Sequence, residues 1–221
     1  MALLHSLGAK SVPVVSKGKD FVFGQSIGDV AAFLGIDVDT RPQLSPTELV
    51  EKIDVIVAAA ERYVRQFPQS AANRDVLDRR RTHLQLSFHV FRVVEALLDC
   101  ANGLELSYQY FADNPPDQMR SFEQVANYGG EIRLRLLDWW DGYEDRSARG
   151  SVKTYFGEKP LHEVMERTAW HAGQHVRQFM MLLERMEIAP VHPLTSEDFN
   201  GLPMPEKVWD ESPPLNAGRE I

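Results

Sequence analysis

Residues 168–186 read TAWHAGQHVRQFMMLLERM, and the spacing of their apolar and imidazole side chains decides the fold. Val164, Thr168, His171, His175, Phe179 and Leu182 recur at intervals of three and four, which is one face of an amphipathic helix. That face is apolar apart from a threonine and two histidines, so both imidazoles point into a helical core. Residues four apart on a helix are turned by about 40° and displaced by about 6 Å, so one ion is able to bridge them. Two readings stay open from the spacing alone. The rings satisfy each other or a backbone carbonyl, or they hold a divalent metal, which would spare two neutral imidazoles a search for buried partners.

The same periodicity extends backwards along the chain. The final helix is predicted from about Pro160 to Met186. A first long helix is predicted from Ser45, Pro46 and Glu48, a capping box with proline at the first helical position, to about Phe67. Its stripe is Leu49, Ile53, Ile56, Val57, Ala60 and Val64. A second is predicted over about 79–102 with the stripe Leu86, His89, Val93, Leu97 and Cys100. A third is predicted over about 118–142 and ends near Trp139 and Trp140. Gly129 and Gly130 lie inside it and cost about 2 kcal/mol together against alanine, so a kink or a close helix contact is expected there. The segment 143–157 reads as a connection with a short extended piece at Val152–Phe156. Four long helices with short connections make an antiparallel four-helix bundle over 45–187 in a mainly α protein.

The N-terminal 1–36 differ. SVPVV at 11–15 and FVFG at 21–24 flank the turn-prone SKGKD, which predicts a hairpin, and Ser26 caps a short helix that stops at Gly35. Residues 37–44 read as a linker. Six of the chain's 13 prolines fall in 188–221, which reads as an extended arm.

Seven histidines occur, and helical faces sort them. His89 lies on an apolar stripe and is the candidate third ligand. His83 is turned about 120° from it and His162 about 180° from His171, while His5 and His192 fall in peripheral segments. Three histidines with open positions form a catalytic type of metal site, since a structural zinc has its four positions filled by protein. The zinc-protease motif HExxH fails because position 172 is Ala. Cys100, the one cysteine, excludes an intramolecular disulfide and a CxxC motif, and its place on a stripe marks it as a core thiol.

Composition excludes other classes. Net charge is −8 with 43% hydrophobic and 25% charged residues, the balance of a globular protein. The one dense basic patch, Arg79, Arg80 and Arg81, is too small for a nucleic-acid footprint. MALLHSLGAK is too short and weakly apolar for a signal peptide and no stretch has membrane-spanning length, so a cytoplasmic location is expected.

HVFRVVEALLD from His89, TAWHAGQHVRQFMMLLERM, and GLPMPEKVW from Gly201 together resemble the DinB-like superfamily of metal-binding four-helix bundles over about 45–210. The resemblance implies His89, His171 and His175 as ligands of zinc, nickel or iron, with water completing the shell. It also implies an enzyme of thiol transfer or isomerisation using a low-molecular-weight thiol such as glutathione and a small electrophile, frequently as a homodimer. A metal-dependent hydrolase and a non-catalytic, metal-stabilised binding or dimerisation module share the same site. Trp170, Gln174, Arg92 and Trp139 are the substrate-pocket candidates, with Glu95 beside them. LGAKSVPVV and FVFGQSIGDVAAFLGI resemble the C-terminal half of a glutaredoxin, with Pro13 at the cis-proline position. This segment lacks the CxxC helix, so it carries no redox chemistry.

Overall fold

The computed structural model describes residues 13–77 and 81–208. His5, Val12, Arg79, Arg80 and the tail beyond Val208 lie outside the described residues. The chain divides into two compact units between Pro42 and Gln43. It is mainly helical, with a small antiparallel hairpin near the N-terminus.

In the first unit, β1 (Val14–Lys17) pairs with β2 (Asp20–Phe23) in the register Val14 opposite Phe23. The two-residue turn between them uses Gly18 at φ +67°, a conformation glycine adopts without a Cβ clash. Helix α1 (Ile27–Leu34) is capped by Ser26, whose side chain accepts from the Asp29 amide, and ends at Gly35 in the left-handed region.

The second unit holds four long helices: α2 (Pro46–Gln66), α3 (His83–Ala101), α5 (Phe122–Gly142) and α6 (Leu161–Arg185). A single turn, α4 (Gln109–Ala112), stands between α3 and α5. Helix α2 packs on α5 and α6, and α3 packs on the same two. The predicted α2 stripe is fully buried, as are Val93, Leu97 and Cys100 of the α3 stripe. The Ser45 and Glu48 capping box is formed, with the Ser45 amide donating to Glu48 Oε2 at 2.7 Å.

Two helices start later than expected, for one reason. Thr82 with Gln85 and Ser121 with Gln124 form capping boxes of the same kind. Each satisfies the first unpaired amides of its helix and so fixes the start at His83 and at Phe122. The extended piece expected at 152–156 is one arm of a second hairpin, β3 (Ser151–Thr154) with β4 (Gly157–Pro160), whose turn carries Tyr155 and Phe156. Gln43 and Leu44, expected in the linker, belong to the helical unit, where His162 Nε2–H donates to the Leu44 carbonyl at 2.8 Å. The described part of the C-terminal arm is anchored to the helices: Phe199 and Leu202 are buried, and the Leu194 amide donates to Tyr63 Oη at 3.0 Å.

The glycine pair in α5 separates into two roles. A Cβ on Gly129 would stand 2.4 Å from the ring of the buried Phe91, so this glycine is where α5 and α3 approach closely. A Cβ on Gly130 would meet only Glu61 at an ordinary 3.5 Å. Gly129→Ala is therefore expected to destabilise by about 1–3 kcal/mol through overpacking. Gly130→Ala is expected to stabilise by up to about 1 kcal/mol. Urea denaturation of the two variants checks both signs.

Candidate metal centre

Two helices supply the three rings. His89 comes from the second turn of α3, while His171 and His175 come from successive turns of α6. Their ligand atoms lie within 4.8 Å of one another, close enough to hold a metal ion. His171 Nε2 stands 3.2 Å from His89 Nε2 and 3.2 Å from His175 Nε2. Two nitrogens bound to one ion at tetrahedral angles stand about 3.4 Å apart, so the spacing fits.

Proton accounting makes the same point. His175 Nδ1 lies 2.9 Å from Gln178 Oε1, and an amide oxygen only accepts, so Nδ1 carries the proton and Nε2 presents a lone pair. One proton on His171 Nε2 serves one of its two 3.2 Å contacts well and leaves the other short. A divalent cation among the three nitrogens satisfies all of them. His89 Nδ1 is buried without a hydrogen-bond partner, so this ring is held by packing and has its polar use at Nε2.

Burial holds both His89 and His171 well below the ordinary imidazole range, and the neighbouring imidazoles and the cations Arg81 and Arg167 add to it. Both rings are thus neutral at pH 7, the form that ligates. Phe111 of α4 lies against His171 with centroids 5.6 Å apart and a 28° tilt, and edge-on to His89 at 6.2 Å.

Of the four pocket candidates, Trp170 meets a ligand ring, edge-on to His171 at 6.1 Å. Gln174 is fully buried, and its Oε1 accepts from Arg177 Nη1 at 3.2 Å, which ties it to the helix flank under the C-terminal arm. Arg92 is taken up by Asp113 at 3.0 Å and Glu95 at 2.7 Å and stacks over Tyr110. Trp139 packs on Trp140 and Tyr143 at the end of α5. The other histidines do different work: His83 Nδ1–H donates to the Arg74 carbonyl at 2.8 Å, and His192 is exposed. Cys100 is buried, and desolvation pushes its thiol up to about 11, as befits an inert core residue.

Sequence reasoning missed Gln178, although it lies three residues after His175 on the same face. It also missed Phe111 and Tyr155, which non-periodic segments supply. No protein-family model and no curated protein sequence matches the chain.

Two outcomes follow from this geometry. Gln178 fixes the tautomer and orientation of His175, so Gln178→Leu is expected to weaken metal binding about 10–100-fold by competition with a chelating dye, with Gln178→Glu retaining most of it. The depressed folded values of His89 and His171 mean that, below the unfolded value of about 6.5, the unfolded chain binds protons that the folded chain does not. Stability of the metal-free protein is therefore expected to fall as pH drops from 7 towards 5. The His89→Ala, His171→Ala double variant is expected to show a shallower slope in melting temperature against pH.

Proposed function

We propose that the chain is a metal-dependent enzyme on a DinB-like antiparallel four-helix bundle, in which His89, His171 and His175 hold zinc, nickel or iron and a low-molecular-weight thiol is the nucleophile. The observation that carries this reading is the convergence of three Nε2 atoms from two helices. The sequence resemblance described above supports the thiol.

The chain's own residues fit that task. Gln178 orients His175, and the packed rings of Phe111 and Trp170 confine His171. Among the described residues no fourth His, Cys, Asp or Glu joins the cluster, which leaves positions for an exogenous group and favours catalysis over a purely structural ion. An ion bound there would lower the pKa of a thiol or water placed on it and so supply a nucleophile at neutral pH. Phe111 and Trp170 lie against His171 and Tyr155 lies against Phe111, so apolar ring surface borders the site and strengthens charge interactions beside it.

Elemental analysis of the purified protein is expected to give about one divalent ion per chain, as a three-histidine site holds one. The His171→Ala, His175→Ala variant should lose nearly all of it, and equal metal content in the two proteins overturns the reading. Conjugation of glutathione to a small electrophile is expected to stop on chelation and return with added metal. Activity that survives metal removal would reject the mechanism and leave the site standing.

A further inference from the structure

The three ligand nitrogens are uncharged donors, and among the described residues no carboxylate or thiolate joins them. Two arginines meet Phe111 instead, the residue whose ring lies against His171 and His89. Arg167 precedes His171 by four residues, one turn along the same face of α6. Its guanidinium carbon lies 4.8 Å from the ring centre of Phe111, 5.2 Å from Phe156 and 5.9 Å from Tyr155, and Nη2 donates to Tyr155 Oη at 2.9 Å. The same Phe111 ring packs on His171 and His89, so a single ring links this guanidinium to two of the ligands. Arg81 reaches Phe111 as well, donating from Nη2 to its carbonyl at 3.0 Å.

A divalent ion held by neutral imidazoles keeps its full charge, and guanidiniums beside it raise the local positive potential further. Such a site recruits anions. Arginine is also the side chain whose planar fork matches a carboxylate, and rings against its flat faces leave the donors directed in the plane. We propose that the molecule entering the metal centre carries a carboxylate, held by Arg167 together with Arg81, while its other end meets the ion. This rests on the metal-centre reading above and narrows its substrate to a small acidic thiol.

The whole chain loaded with Co(II) gives a direct test, because a thiolate on cobalt produces its own near-ultraviolet absorption. The probes are mercaptoacetate and 2-mercaptoethanol, which share a thiol and differ in the carboxylate. Mercaptoacetate is expected to bind about tenfold tighter or better, the worth of one charge-assisted pair. Arg167→Met is expected to abolish that preference and Arg81→Met to reduce it, both at unchanged cobalt content. Equal affinity for the two thiols in the unaltered protein overturns the proposal, as does a preference that survives both substitutions. Equal affinity in the unaltered protein overturns the proposal without any variant, and the loss of the preference in Arg167→Met separates the arginine from a chelate ring that mercaptoacetate closes on cobalt with its own carboxylate. A chain that takes up no cobalt overturns the metal centre, whereas one that takes up cobalt and binds both thiols alike overturns the carboxylate alone.

Discussion

The structure of the helical unit turns on one unfavourable contact, the meeting of three imidazole nitrogens from two helices. Of the two 3.2 Å contacts at His171 Nε2 one proton serves a single contact, and the other is left with lone pairs facing each other. The surrounding helices must hold them there. Helix α3 fixes His89 among Val90, Val93 and Leu86, all buried. Helix α6 fixes the other two between Thr168 and Phe179, and it packs on both α3 and α2, while α3 packs on α5 as well. The energy that keeps the rings together is therefore apolar burial spread along long helices, each fully buried large side chain contributing about 1.5–3 kcal/mol. A metal ion bound there would couple to folding for the same reason, since a ligand that relieves the contact stabilises only the folded chain.

How much of this the sequence discloses depends on whether the residues sit on a periodic element. The α2 stripe from Leu49 to Val64, the inward pair on α6 and the alignment of His89 were all legible, since each follows from a repeat of three and four. The boundaries at Thr82 and Ser121 were equally written in the sequence, as Thr-x-x-Gln and Ser-x-x-Gln, the signature that marked the start of α2 at Ser45. Basic and proline-rich residues ahead of each box drew the expected starts outward. Gln178 was legible too, as the polar position on the His175 face. Phe111, Tyr155 and Phe156 were not, because a one-turn helix and a hairpin turn carry no periodicity that points at a distant ring. Their placement follows from backbone pairing of Leu106 with Lys153 and Tyr155, a contact between segments 47 and 49 residues apart.

Charge is sorted along α3 in a way that protects the site. Its acidic residues, Glu95 and Asp99, face Arg92, and Glu95 also accepts from Tyr128 Oη at 2.5 Å and Arg135 Nη1 at 2.7 Å. Against the pull of burial, the Tyr128 hydroxyl, then Arg135 and Arg92, hold the Glu95 carboxyl below its ordinary value. One turn earlier, His89 looks into the apolar interior with aromatic rings around it. Placing the acids in a closed ion network keeps them away from the imidazoles, and an ion there would keep the Lewis acidity that carboxylate ligands partly neutralise.

Helix α6 carries two of the three rings, so its register has to be held from behind as well as from the core. The described end of the C-terminal arm does this. Gly173 lies on the side of α6 away from the two histidines, where a Cβ would approach Met204 at 3.3 Å and Phe199 at 3.4 Å. Arg177 donates to the carbonyls of Pro205 at 2.7 Å and Glu206 at 2.8 Å, clamping the arm one turn further along. A glycine that admits the arm and an arginine that fastens it, four residues apart, bracket the turn that bears His175. The rings keep their spacing because the helix beneath them is packed on both sides, and a centre built on such an element is held more tightly than one carried by a loop.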